Sequence, residues 1–245
     1  ASHAVLASGQ GAKIRVKETG VHQLTNALIR RAGFSNPEKV KIYGYGGARQ
    51  PEALSDAYLR ETDDLHEVPT YAVGNRRLFF AIGPVNWENA TTTTRERNNY
   101  SQYGYYFLTE SDGEPLKQDS ATFVSSFYPH PNDYHALYEP EEYAWFQGGR
   151  NLYSKTLLND LSNGLSCTLE SPATSAKLSV ALTFDNKGEA TVLVNDSVVG
   201  QINTVASDRD EHSKAALTTK TFNVSNLNIG QTTITVQRTS GASNR

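Results

Sequence analysis

Apolar residues in the first half of the chain follow two periods. Ile14, Val16 and Val21 alternate with polar residues on either side of Glu18-Thr19-Gly20, which predicts a hairpin of two strands joined by a tight turn. Thr25 then precedes Asn26–Ala32 at helical spacing, and Gly33 follows, so a hydroxyl N-cap and a glycine stop bracket one short helix near residues 25–33. Beyond Pro37, Lys39–Tyr45 alternates Val40 and Ile42 ahead of Gly46-Gly47, a strand running into a turn. Ala48–Asp64 is polar and irregular. Arg76–Pro84 is a compact apolar run that predicts a central strand buried on both faces. Tyr103, Tyr105, Tyr106 and Phe107 cluster within Tyr100–Thr109, Ser111-Asp112-Gly113 turns the chain, and Phe123–Tyr128 predicts a further aromatic strand.

The rhythm changes across Tyr138–Leu158. After it, short alternating runs at Leu165–Leu169 and Lys177–Phe184 are followed by a turn at Asp185-Asn186-Lys187-Gly188. Ala190–Val194 and Ser197–Gln201 face each other across Asn195-Asp196, a two-residue hairpin signal, and Phe222, Val224, Leu227, Ile234 and Val236 supply the last strands. The expected fold class is mainly β, with two β-rich domains. Residues 1–136 form one with its single helix, and residues 137–245 form a β-sandwich of jelly-roll type. Between them, Tyr143, Trp145, Phe146 and Tyr153 are too many aromatics for a flexible linker. With Gly148, Gly149 and Arg150 they are expected to form an interdomain joint, the glycines turning tightly and Arg150 meeting a carboxylate.

Composition narrows the function classes. Of 245 residues, 38 % are hydrophobic and 20 % charged, enough for a packed core. The balance of 23 basic to 26 acidic residues supplies no single-sign field, so nucleic acid is not an expected partner. No apolar run approaches the ~20 residues that span a bilayer, and the N-terminus lacks a signal-peptide layout. The absence of Met fits a processed or excised chain.

Candidate chemistry is sparse. Asp63, Asp64, His66 and Glu67 have the residue types of a metal site and equally of a solvated loop whose acids cap backbone N–H groups. Adjacent acids point in different directions, which favours the loop. His130 and His135 flank a proline-broken segment with Asp133 and lack a third ligand at zinc spacing. The lone Cys167 sits in a strand pattern with no His nearby in sequence, the setting of a buried residue rather than of an activated nucleophile. The tyrosine cluster is either a stacking platform for sugars or bases or part of a β-core. No catalytic residue, metal ligand or cofactor is expected.

Several motifs, in order, resemble the N-terminal region of gingipain-like cysteine peptidases, nearest the type IX secretion sortase, a signal peptidase of the bacterial outer surface. They are Ile14–Val21, the helix after Leu24, Val40–Gly47, Asp63-Asp64-Leu65-His66-Glu67, Phe79–Pro84 with Trp87, Asn99-Tyr100-Ser101, Tyr105–Thr109, and Gly148-Gly149-Arg150 followed by Tyr153. In that family a later caspase-like domain carries the catalytic His and Cys, and nothing in this chain matches them. The resemblance therefore implies a noncatalytic prodomain or scaffold of an exported peptidase. Its partner would be the downstream peptidase domain of the same polypeptide. Its place would be cell-surface, outer-membrane-associated or extracellular. It also implies a fragment, stopping about where the family's jelly roll adds its last strand. The competing expectation is a glycan-binding or adhesive surface module whose C-terminal sandwich binds glycans or surface polymers through Tyr143, Trp145 and Tyr153, with secreted proteins as a further partner class.

Overall fold

A computed structural model describes residues 4–7, 9–89, 91–127, 134–146, 148–156, 158, 164–184, 187–205 and 216–241. The side chains at 120, 127, 145, 146, 148–151 and 241 are outside the description. The chain is mainly β and divides into two compact units, Ala1–Asp133 and Tyr134–Arg245.

The first unit begins with β1 (Gly11–Val16), β2 (Gly20–Gln23), α1 (Asn26–Arg31), a 3-10 turn at Pro37–Lys39, β3 (Val40–Gly46) and α2 (Asp56–Glu61). It continues with β4 (Tyr71–Val73), β5 (Arg76–Ala81), β6 (Val85–Trp87), β7 (Arg95–Arg97), β8 (Gly104–Glu110) and α3 (Ser120–Phe127). Two three-stranded sheets form, in the orders β1-β8-β3 and β2-β5-β4, beside a β6-β7 ribbon. One core cluster joins the two sheets, drawing Ile42 and Leu108 from the first, Phe79 and Ala81 from the second, and Ile29 from α1.

β1 and β2 are the strands expected of a hairpin, yet they pair with β8 and β5 in different sheets. Alternation announces a strand but not its partner, and Glu18-Thr19-Gly20 is a corner between sheets. β5 is central, as its apolar run predicts, but only Phe79 and Ala81 are fully buried; Leu78 and Phe80 on its other face are half-buried. α1 has the expected cap, Thr25 Oγ1 accepting from Leu28 N–H at 3.1 Å, a contact worth about 1 kcal/mol.

Two further helices fall where none is expected. Ser55 Oγ accepts from Tyr58 N–H at 3.2 Å and opens α2 inside the stretch read as irregular. In the run Phe123–Tyr128, where an aromatic strand is expected, residues 123–127 belong to α3 and Tyr128 lies outside the described residues. Asp119 starts that helix, its Oδ2 accepting from Thr122 N–H at 2.9 Å and its Oδ1 from Ala121 N–H at 3.2 Å.

Backbone contact at a glycine junction locks the two sheets of this unit together. Gly47 N–H donates to the Ile82 carbonyl at 2.8 Å, while Ile82 N–H donates to the buried hydroxyl oxygen of Tyr106 at 2.7 Å. Thr19 Oγ1 accepts from Gly83 N–H at 2.9 Å and donates to the Val85 carbonyl at 2.7 Å. A β-carbon at Gly47 would lie 2.6 Å from the Gly83 carbonyl carbon, and one at Gly104 would strike the Ile82 carbonyl oxygen. These two positions tolerate only glycine because backbone meets backbone there.

The second unit holds a ribbon, β9 (Tyr143–Phe146) with β10 (Gly148–Tyr153), and six further strands. These are β11 (Gly164–Ser171), β12 (Ala176–Phe184), β13 (Gly188–Val194), β14 (Ser197–Thr204), β15 (Ala216–Val224) and β16 (Gly230–Gly241). Among the described residues they form a four-stranded sheet, β11-β16-β13-β14, and a two-stranded sheet, β12-β15. Val192, Ile202 and Val236 of the first pack with Phe222, Leu178 and Val180 of the second, which makes a β-sandwich. The β13-β14 turn is the one Asn195-Asp196 predicts. Both residues have positive φ, +48° and +64°, as a two-residue turn between twisted strands requires.

Candidate functional site

The residues singled out for chemistry do not converge on a reaction centre. Asp64 spends both carboxylate oxygens on backbone, accepting from Val5 N–H at 2.9 Å and Leu65 N–H at 2.8 Å. Glu67 Oε1 accepts from Leu116 N–H at 2.6 Å, and His66 lies against the Tyr45 ring, 5.3 Å between centroids. These groups face different neighbours, and no cluster of three or more His, Cys, Asp or Glu among the described residues could hold a metal. His130 and Asp133 lie outside the described residues.

Cys167 is half-buried on β11, packed against the cluster of Val194, Val224 and Ile234. Burial pushes its thiol up from the ordinary cysteine value, the reverse of what a nucleophile needs.

The residues expected to form a joint make the β9-β10 ribbon. Gly148 and Gly149 belong to β10, with Gly148 opposite Phe146 and a register shift before Leu152. Tyr143 is exposed and Tyr153 half-buried. The side chains of Trp145, Phe146 and Arg150 lie outside the description.

Two further surface features of the first unit are a cleft and a set of cation–tyrosine contacts. The first is a cleft of about 240 Å³ where β3 leaves its sheet through a register shift between Tyr43 and Gly46. Its walls include Tyr45, His66, Phe80, Ile82 and Phe123, contributed by separate stretches of chain. It is smaller than the ~300–1,000 Å³ of typical small-molecule sites and has room for about one large apolar side chain. The Tyr45 hydroxyl donates to the Asp64 carbonyl at 2.6 Å, with the Glu61 carbonyl at 3.2 Å. Desolvation, and then the charges of Glu61 and Asp64, push its phenol up, so it stays a neutral donor.

The second is a ladder of cations over tyrosines on the outer face of the β1-β8 pair. Ala12, Ile14 and Val16 turn inward, so Lys13 and Arg15 turn out. Lys13 Nζ sits 3.8 Å from the Tyr105 ring centre, and the Arg15 guanidinium sits 4.5 Å from that of Tyr103. Each cation reaches the residue diagonal to its strand partner, since Lys13 pairs with Phe107 and Arg15 with Tyr105. The sequence shows the tyrosine cluster and, far from it, Lys13, Arg15 and Lys17 alternating with apolar residues; only the β1-β8 pairing brings the two together. The cleft left no such signal, because its walls come from stretches far apart in the chain.

No helix among the described residues is long and apolar enough to cross a membrane. No family model and no curated protein matches the sequence. Among solved structures, the chain is similar to dimeric latent PorU from Porphyromonas gingivalis, with a TM-score of 0.73 and 28 % identity. The match covers 99 % of this chain but 24 % of PorU, so the chain spans about a quarter of that protein's length. The likeness takes in both β units, and the chain is related to that part of PorU.

Proposed function

We propose that this chain is the noncatalytic N-terminal region of an exported, cell-surface cysteine peptidase of gingipain-like type, a prodomain or scaffold that supports or regulates a caspase-like domain further along the same polypeptide. The observation that carries this reading is the match to PorU over 99 % of the chain at 28 % identity, which accounts for 24 % of PorU. PorU is described as latent, which makes restraint of a peptidase a fitting role for a part of such a protein. Several motifs that carry the resemblance, Val40–Gly47 and Phe79–Pro84 among them, meet at the glycine junction, so they serve architecture. The raised thiol of Cys167 agrees with a chain that does no cleavage of its own.

The test is an in-frame deletion of the segment encoding residues 1–245 from the gene, with the codons for the catalytic His and Cys kept. Exported proteins are expected to be cleaved at a changed rate, lower where the segment supports the peptidase and higher where it restrains it. Cleavage at the undeleted rate would overturn the proposal.

A further inference from the structure

The order β1-β8-β3 leaves β1 at a sheet edge. In an antiparallel ladder alternate residues turn their N–H and C=O toward a given neighbour, so half of the β1 backbone faces away from β8. No described backbone group pairs with that side. Lys13 and Arg15 are exposed on this strand, and among the described residues neither has a carboxylate partner. Their separation is the two-residue repeat of a strand, about 6.6–6.8 Å. Lys17 continues the alternation just past the strand end.

We infer that the free edge of β1 docks an extended acidic polypeptide segment, which pairs its backbone with β1 and sets carboxylates at alternate positions beside Lys13 and Arg15. The edge backbone selects a peptide, because only another extended chain presents N–H and C=O groups at matching intervals. The charges select its sequence, because opposite charges across a strand pair attract and like charges repel. A neutral glycan is a poorer fit, since sugars stack on bare ring faces and the Tyr103 and Tyr105 rings each have a cation over one face. Cations on an edge strand also discourage pairing with a like strand. That guard and the docking site are one device, which turns away a basic or apolar strand and admits an acidic one. This inference stands whether or not the parent protein is a peptidase.

The experiment is fluorescence polarisation with the full 245-residue chain and a labelled, end-blocked eight-residue peptide alternating Glu and Thr. Three comparisons accompany it: the same peptide N-methylated at every second residue in each of the two frames, a Lys/Thr counterpart, and polygalacturonate. The Glu/Thr peptide is expected to bind. One N-methylated frame should lose that binding, and the protein variant K13E/R15E should weaken it about ten-fold or more while gaining the Lys/Thr peptide. Both substitutions are at exposed positions, and unchanged circular dichroism confirms the fold. Failure of the Glu/Thr peptide to bind would overturn the inference. So would equal binding of both N-methylated frames, which would mean charge attraction without strand pairing, or binding of polygalacturonate alone.

Discussion

Replacing Gly104 by Ala tests the glycine junction on which the first unit depends. The new methyl would strike the Ile82 carbonyl oxygen and come within 2.8 Å of Gly47 N and 3.0 Å of Val16 Cγ2. Two of those atoms are the acceptor and donor of the 2.8 Å Gly47–Ile82 hydrogen bond, so relieving the clash means opening that bond. Overpacking of this sort costs about 1–3 kcal/mol, and a buried pair left unsatisfied adds about 1–3 kcal/mol. The sum, about 2–6 kcal/mol, is a large share of the stability of an ordinary domain. It corresponds to a fall of roughly 6–24 °C in the unfolding midpoint. The assay is thermal unfolding followed by near-ultraviolet circular dichroism, with hydrogen exchange at the Gly47 amide to confirm that the loss is local. Gly11→Ala is the control, because a β-carbon there would find only Leu6 Cδ2, at 4.0 Å. If Gly104→Ala were no more destabilising than Gly11→Ala, the junction would not be packed as described.

Tyr106→Phe keeps the buried ring but leaves Ile82 N–H without its acceptor, at a cost of about 1–3 kcal/mol in urea unfolding. Burial also holds the Tyr106 phenol above its ordinary value, so its contribution is complete below the unfolded tyrosine pKa of ~10 and is lost as pH rises toward the folded value. The phenylalanine variant should therefore lose less stability than the parent between pH 9 and 11, as read by urea titration across that range. Asp119 carries the opposite sign. Hydrogen bonds from Thr122 and Ala121 lower its pKa, so its support for α3 is present above the ordinary carboxylate range and fades as pH falls through the folded value. Asp119→Ala should lower amide protection in α3 at pH 7 and remove the further loss of protection that the parent shows on acidification, once intrinsic exchange rates are divided out.

The elements the sequence announced are those whose signal is local. Thr25 and Gly33 bracket α1, and Asn195-Asp196 demands a turn with two positive φ angles whatever surrounds it. Pairing was not legible. The residues around Glu18-Thr19-Gly20 look like a hairpin until Thr19 is seen holding Gly83 and Val85, residues more than sixty positions away. In α3 the aromatic Phe123 and Phe127 have the look of a strand, while Asp119 three residues before Thr122 is the available cap signal. α2 has no buried residue, so no apolar stripe marks it, although Ser55 ahead of Asp56 is a helix start. The candidate contact surfaces divide the same way. The Lys13/Arg15 alternation is written in one strand, whereas the cleft at Tyr45 and Phe123 exists only after distant segments meet.

The central proposal is that the chain serves a peptidase domain and does no cleavage of its own. Its most direct test is to incubate the purified chain with a broad library of fluorogenic peptides and proteins, at neutral pH under reducing conditions, beside Cys167→Ala. The account predicts no hydrolysis above buffer by either protein. Hydrolysis by the parent chain that Cys167→Ala abolishes would contradict it.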